Sequence, residues 1–574
     1  MTNTMWIAPE CDSALAHNLA KEASISETVA CILINRGVTT AADVRDFLSP
    51  SLDHLHDPML LPDMEAGVER TARALETDEK ILVHGDYDVD GVSSAALLIR
   101  VLRILGGNII YRVPHRKRDG YDIKPITAEE AHAEGATLII TADCGVTACE
   151  TIAHAQTLGV DIIVTDHHEQ GSVLPDAIAV INPKRHDSTY PFPDLAGVGV
   201  ALKFAQALVR RLGYDDQKFI KRYLDLAALG TIADVMPLVG ENRVIAKFGL
   251  EALQESKKIG LQAMLERTSL KGRKLTTHSI GFVLGPRINA VGRLDDAAIA
   301  LQLLLTTDTH EARELVEVLE QQNNERQVEQ ARILEEARAI LDERDLDSTR
   351  ALVIYRAGWN SGVVGIVASK IVEQYRRPVI LLSLDEESGI ASGSARSIEA
   401  FNIIEALDKC RDLLEKAGGH AYAAGVSLKT ENLSQFESKL NETALEIIKP
   451  EDMIPKIVID EKIEPETISW ELLREINKLE PFGAGNPEPV FVSTGFDLLE
   501  RRRVGDGSHL KMRVLGKGGA QLNCIAFGLG DLEPMLQLGR DVDLCYNIRS
   551  NSYNGYDTVQ LTVKDVKWSD ESQK

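Results

Sequence analysis

The densest chemistry in the chain is the run His84-Gly85-Asp86-Tyr87-Asp88-Val89-Asp90-Gly91, where three aspartates alternate beside a histidine. Carboxylates this close repel one another at neutral pH, and cations make the arrangement tolerable. Two more acid and imidazole groups follow, Thr141-Ala142-Asp143 and Thr165-Asp166-His167-His168. Asp234 sits in the apolar segment LGTIADVMPL, where a charge needs a partner. An Asp and His set nearly without Cys suits Mn²⁺ or Mg²⁺ better than structural zinc. More ligands are offered than one ion takes, so two ions sharing a bridging carboxylate are expected. Such sites typically cleave phosphate esters, activating water and stabilising charge at phosphorus. The first run taken alone also suits a calcium loop, but an EF-hand needs a glutamate near its twelfth position and Ser94–Leu98 offers none.

These groups need elements that bring them together. Short apolar runs at Ile81–Val83, Ile109–Val113, Leu138–Thr141, Asp161–Thr165 and Ala177–Ile181 alternate with helical stretches near 93–105, 127–134 and 147–158. That alternation predicts βαβ units and a mainly parallel sheet. In an open parallel sheet the carboxyl ends of the strands share one edge, where ligands bind. Each motif closes a strand, so they are expected to converge on one crevice. A single aspartate at a strand end is usually a cap; several on successive strands are not explained that way.

The length, 574 residues, sets a prior of about four domains. Residues 1–78 read as an N-terminal helical segment and 79–307 as the parallel-sheet domain. Residues 308–345, highly charged and free of Gly and Pro, read as a connecting helix. Residues 346–450 form a second α/β domain. Residues 451–574, with short alternating runs such as HLKMRVLG and TVQLTVKDVKW, form a small β-barrel with a frayed SDESQK tail. The fold class is therefore α/β with a C-terminal barrel. Acids outnumber bases by 87 to 63, a net charge of −24, which argues against nonspecific coating of DNA or membrane and requires any nucleic-acid surface to be local. The opening MTNTMWIAPECD has no basic region and no stretch is long enough to span a bilayer, so a cytoplasmic, membrane-free protein is expected, and a monomer is expected beside it. Seven cysteines then read as small buried hydrophobes in a reducing compartment. Gly197-Val-Gly199 is a poor dinucleotide fingerprint and reads as a helix start.

HGDYDVDG, TADCG, TDHHE and LGTIADVMPL, in that order, resemble the four-motif signature of the DHH phosphoesterase superfamily. GPRINAVGRL, GSARS, GGHAYAAG and PFGAGNPEPVF extend the resemblance to its RecJ-like branch over essentially the whole chain. That resemblance implies a DHH domain, a DHH-associated domain and an OB-like barrel. It implies single-strand-specific 5′→3′ exonuclease activity releasing 5′-mononucleotides, in recombination and repair, with a helicase and a single-strand-binding protein as partners. By motif, His84 and Asp88 match one metal's ligands and Asp90 faces the other. Asp143 matches the bridging carboxylate, His167 and Asp234 the second metal's ligands, and Asp86 a ligand or its support. His168 matches the residue approaching the scissile phosphate, and Asp166 orients the histidines. One departure is Trp359-Asn360, where RecJ-like sequences commonly read Trp-His.

Candidate phosphate contacts are Arg116, Lys117 and Arg118 after the second strand, Arg287 and Arg293 in a Gly-flanked loop, and Ser394, Arg396 and His420 in the second α/β domain. By resemblance, Ser394 and Arg396 grip the 5′-terminal phosphate. Arg501, Arg502, Arg503 and Lys511 fit a barrel tracking one strand. Aromatic content is 5%, so stacking platforms are few; Tyr87, Trp359 and Tyr422 are the nearest, each more suited to packing. The competing functions are another DHH phosphoesterase acting on short oligonucleotides or pyrophosphate, disfavoured by the extra barrel, and a metal-free scaffold, disfavoured by the intact ligand set.

Overall fold

The computed structural model describes residues 4–569 except Lys117, Tyr121, Asp295, Asn554 and Gly555; the expected phosphate contact of Lys117 and most of the frayed tail lie outside the described residues. The chain divides into two compact units.

The first unit holds the parallel sheet. After the short β1 (Met5–Ile7), which lies outside this sheet, the sheet's strands are β2 (Lys80–Gly85), β3 (Asn108–Arg112), β4 (Ala136–Ala142), β5 (Asp161–Thr165) and β6 (Ala179–Ile181), in the order β3-β2-β4-β5-β6 with every pairing parallel. Alternation along the strands serves two cores. Ile81, Val83, Leu138 and Ile140 enter the larger one, and Leu82 and Ile139 the smaller one on the opposite face.

Helices α1 (Ser13–Ala23), α2 (Glu27–Asn35), α3 (Ala41–Leu48) and α4 (Met64–Glu76) precede the sheet. They do not act together. Residues of α4 join the larger sheet core, whereas Ile32, Leu33 and Phe47 share a core with the C-terminal barrel. The reading of all seven cysteines as separate small hydrophobes is corrected here. Cys11, just before α1, and Cys31 on α2 form a disulfide, their Cα atoms 5.7 Å apart, because the packing of α1 on α2 brings the two side chains together. The other five cysteines are free.

The sheet is covered by α5 (Val89–Ile104), α6 (Pro125–Ala133), α7 (Cys149–Thr157), α8 (Gly197–Arg211) and α9 (Asp216–Ala233), followed by α10 (Gly240–Gln254) and α11 (Ile259–Arg267). Gly197-Val-Gly199 does start a helix. A π-helical turn, Ser279–Leu284, then runs into α12 (Gly285–Leu294) and α13 (Ala298–Leu305). The expected Gly-flanked loop at GPRINAVGR is therefore a helix. Pro286 comes just after the π-helical turn, and Gly292 lets the helix lie close to the Tyr87 carbonyl, 2.6 Å from where a Cβ would stand.

The expected long helix is α14 (Thr309–Asp342), 34 residues. In the second unit β7 (Leu352–Ala357), β8 (Val379–Asp385), β9 (Ile390–Arg396), β10 (Lys416–His420) and β11 (Ala423–Lys429) form one sheet in the order β10-β11-β9-β8-β7. It packs with α15 (Val364–Tyr375), α16 (Ile403–Lys409) and α17 (Leu433–Ile447). GSARS lies on β9, and GGHAYAAG is the β10–β11 hairpin.

After β12 (Lys456–Val458), β13 (Glu461–Lys462) and α18 (Trp470–Asn477) come the barrel strands β14 (Phe491–Val504), β15 (His509–Leu515), β16 (Gln521–Ala526), β17 (Asp541–Tyr553) and β18 (Tyr556–Trp568). Pairing runs β14-β15-β16-β18-β17 and closes from β17 to β14. This OB-like barrel belongs to the first unit. The buried Arg243 of α10 ties it in, donating to the carbonyls of Phe47 and Leu479 at 2.8 Å each. Among the described residues no helix is long and apolar enough to cross a membrane.

Candidate metal centre

The sheet delivers its motifs to one edge. Asp88 caps α5, accepting from the N–H of Gly91 at 3.0 Å, and Asp90 lies buried in the first helical turn. Asp143 follows β4 with φ of +68°, a backbone conformation that costs a non-glycine residue about 1 kcal/mol or more. Val235, next to Asp234 at the C-terminus of α9, also has positive φ, +58°. Non-glycine residues with such strain cluster at functional sites.

These ends meet closely. His167 Nε2 is 3.2 Å from Asp143 Oδ1, 3.7 Å from Asp234 Oδ2 and 3.9 Å from Asp90 Oδ2. Three sets have ligand atoms all within 4.8 Å of one another: Asp86, Asp88 and Asp143; Asp143, His167 and His168; and Asp90, His167 and Asp234. Asp143 and His167 each belong to two sets, so the three form one continuous cluster. His84 is in none of them. It is buried at the end of β2 and neither ring nitrogen has a hydrogen-bond partner. Burial, then the charge of Arg112, lowers its pKa to about 3.

The electrostatics call for cations. Burial first, then neighbouring aspartates, holds Asp86, Asp90 and Asp143 well above the ordinary carboxylate range. Burial, then Asp88, raises Asp234 to about 7. Asp86 Oδ1 and Asp143 Oδ1 are buried without a hydrogen-bond partner. Burial lowers His167 to about 3, leaving a neutral imidazole, the form that binds metal. Oxygen and imidazole donors with orphaned buried carboxylate atoms fit hard divalent cations.

Asp166 is different. Its fully buried carboxylate accepts the N–H groups of Val146 (2.9 Å), His167 (2.7 Å) and His168 (3.1 Å), and meets His168 Nδ1 at 2.8 Å. Burial pushes it up, but the His168 bond and charge bring it net below the usual value. Burial disfavours the His168 cation in turn, yet Asp166 raises that imidazole to about 9. Asp166 thus orients the two histidines.

Close backbone approach, which the sequence reading missed, completes the centre. The N–H groups of Gly197 and Val198 at the start of α8 donate to Asp90 at 2.7 and 2.9 Å. A Cβ on Gly197 would stand 2.5 Å from Asp143 Oδ1, and one on Gly230 2.5 Å from Asp90 Oδ1. Asn289 Oδ1 accepts the N–H of Val89. The only sequence signals were the GVG helix start and the glycine of LGTIADVMPL.

The expected nucleic-acid residues are scattered by comparison. Arg116 lies over the Tyr87 ring at 5.1 Å, within the same unit as the aspartates. Arg118 is turned onto Asp119 at 2.8 Å, and Arg287 Nη1 donates to Val283 O in the preceding π-helical turn. In the second unit Arg396 Nη1 meets Ser394 Oγ at 2.6 Å, beside Gly365 at the start of α15, and His420 ends β10, exposed. Trp359 is buried with its Nε1 on Glu336 at 2.7 Å, and Asn360 caps the turn before α15 through Gly362. On the barrel Arg501 and Arg503 pair with Glu533 and Asp531, while Arg502 is exposed.

Three family models match: the N-terminal domain of the DHH family over residues 80–231, the DHHA1 domain over 348–446 and the RecJ OB domain over 459–565. The single-stranded-DNA-specific exonuclease RecJ of Bacillus subtilis is 39% identical over 98% of this chain and 71% of its own length. That of Escherichia coli is 36% identical over 93% of this chain and 94% of its own length. The crystal structure of RecJ in complex with Mn²⁺ from Thermus thermophilus superposes with a TM-score of 0.84 at 31% identity, covering 98% of this chain and 80% of that one. A second, of RecJ with Mg²⁺ from the same organism, gives 0.79 at 29% identity. With its three domains matched in order and its sequence shared nearly end to end, the chain belongs to the RecJ family of DHH proteins.

Proposed function

We propose that the chain is a divalent-metal-dependent exonuclease that degrades single-stranded DNA from the 5′ end and releases 5′-mononucleotides. The observation carrying it is the continuous cluster of Asp86, Asp88, Asp90, Asp143, His167 and Asp234 at one sheet edge, in a chain whose relatives are named single-stranded-DNA-specific exonucleases. Two ions, Mn²⁺ or Mg²⁺, fit the donor count. Asp86, Asp88 and Asp143 would hold one, and Asp90, His167 and Asp234 the other. Bound there, such ions supply a water acidic enough to attack phosphorus and a counter-charge for the phosphate oxygens.

The chain's own residues do the rest. Asp166 keeps His168 protonated and aimed over the cluster, where it meets phosphate oxygens. Ser394 and Arg396 hold the 5′-terminal phosphate, and His420, Arg116 and Arg287 contact the backbone. Arg502 guides the strand along the barrel. His84, buried at the end of β2 with neither ring nitrogen hydrogen-bonded, is read as a further ligand beside Asp88. A cytoplasmic monomer working behind a helicase, with a single-strand-binding protein, belongs to the same reading.

An end-labelled assay tests it. Single and double strands labelled at either end are incubated with and without Mn²⁺. Mononucleotide release from the 5′ end of single strands alone, only with metal, is the expected result. Activity that falls as the substrate grows from a dinucleotide to a long strand would instead support a phosphoesterase of short oligonucleotides.

A further inference from the structure

Residues 276–289 connect the C-terminal module to the aspartate loop within the first unit. Thr277 Oγ1 donates to the carbonyl of Phe482 at 2.6 Å, and Asn289 Oδ1 accepts from Val89 N at 3.2 Å. Between these anchors the backbone widens into the π-helical turn Ser279–Leu284, a feature enriched at functional sites. That turn presents Phe282, 74% exposed, with the His278 ring stacked on it, centroids 4.8 Å apart and planes 19° apart. A lone exposed phenylalanine needs no explanation, but this ring is braced by a second one, on a segment whose two ends contact Phe482 and the aspartate loop.

His278 also lines a cavity with Asn477, Arg549 and Ser550 of the C-terminal module. The cavity's cations are paired, Lys274 with Glu480 at 2.6 Å and Arg549 with Glu488 at 2.7 Å. The surface therefore offers a ring face and neutral hydrogen-bonding groups, not a phosphate clamp. Of the rings expected from the sequence, Tyr422 is exposed but belongs to the second unit, whereas the aspartate loop and the barrel belong to the first. Tyr87 carries Arg116 on its face and Trp359 is buried.

We propose that Phe282, backed by His278, is a stacking platform for a base of the substrate strand between the carboxylate cluster and the barrel. Stacking accepts every base, because each has a π-face, as an enzyme that consumes a strand residue by residue requires. This inference rests on the single-strand nuclease reading above.

The test uses the full chain carrying Asp143→Ala, which holds a strand uncut, and single strands of about twenty nucleotides with 2-aminopurine moved one position at a time. Quenching should peak at one position. Phe282→Ala should abolish that quenching and weaken binding about tenfold, within the range of one stacked base, and Phe282→Trp should restore both. With Mn²⁺ and an intact Asp143, Phe282→Ala should also lower the kcat/KM ratio of the long strand to a dinucleotide about tenfold. Unchanged quenching, affinity and ratio in Phe282→Ala overturn the platform and leave the nuclease reading standing. Failure of the unaltered chain to cut single strands overturns that reading instead.

Discussion

The backbone N–H of Gly197 donates to Asp90 Oδ2 at 2.7 Å, joining the start of α8 to a carboxylate 107 residues earlier in the chain. A helix N-terminus favours negative charge, so α8 offsets part, but not all, of the effect of burial and neighbouring carboxylates that holds Asp90 above the ordinary range.

Gly197→Ala is the sharpest test of that cradle. The new Cβ would stand 2.5 Å from Asp143 Oδ1, closer than packed atoms allow, and Asp143 is buried with a left-handed backbone that leaves it little room to retreat. We expect Mn²⁺ affinity by calorimetry to fall about 10- to 100-fold, the usual cost of disturbing groups around a metal, and cleavage to fall at least as far. Gly199→Ala is the milder comparison, because its Cβ meets only the movable Leu195 side chain at 3.2 Å.

The metal-free chain should lose stability as pH rises. Asp86, Asp90 and Asp143 are held above the ordinary carboxylate range and Asp234 is raised to about 7. The folded state therefore binds these protons more tightly than the unfolded chain. Their contribution is complete below about pH 4, the unfolded carboxylate value, and is lost as pH climbs through the raised values. Thermal melts in chelator should show Tm falling from about pH 5 to pH 8, and Mn²⁺ should raise Tm more at pH 8 than at pH 5. Asp143→Asn removes a buried charge, so it should raise the metal-free Tm at pH 8 while abolishing cleavage.

Much of this was legible in the sequence because chemistry and topology coincide. Asp86, Asp143 and His167 follow strand ends, and a parallel sheet places strand ends together. GPRINAVGR read as a loop from its glycines, but Gly292 serves close packing on the Tyr87 carbonyl instead of a turn. Arg118, read as a phosphate contact, pairs with its neighbour Asp119 at 2.8 Å. The sharing of one core by α1–α3 and the barrel joins segments more than 400 residues apart, which no local pattern reveals. Likewise, the approach of α1 to α2 that unites Cys11 and Cys31 is set by tertiary packing.

In the second unit, Arg396 and Ser394 lie 2.6 Å apart on β9 beside the first turn of α15. Side chains that already hold each other are ordered to receive an anion, and the adjacent helix start favours it. Arg396→Ala should therefore remove the preference for a 5′-phosphate over a 5′-hydroxyl. A hydrogen bond to a charged group contributes about 1.5–3 kcal/mol, so KM for the phosphorylated strand should rise about 10- to 100-fold while that for the hydroxyl strand changes little. Steady-state kinetics on the two strands decide it. Equal losses on both would place Arg396 in general strand binding.

Asp166 accepts three backbone N–H groups and holds His168 Nδ1 at 2.8 Å, which keeps that imidazole protonated up to about pH 9. Asp166→Asn retains an acceptor oxygen for the backbone but removes the charge. The His168 value should then fall toward that of an ordinary imidazole, about 6.5. A histidine that meets phosphate acts in its charged form, which exists below its pKa. The alkaline limb of the pH–rate profile should therefore move down by about 2 pH units in Asp166→Asn, with the low-pH rate less affected. His168→Ala should lower the rate throughout and erase that limb. An alkaline limb that stays in place in Asp166→Asn would mean that a group other than His168 sets it.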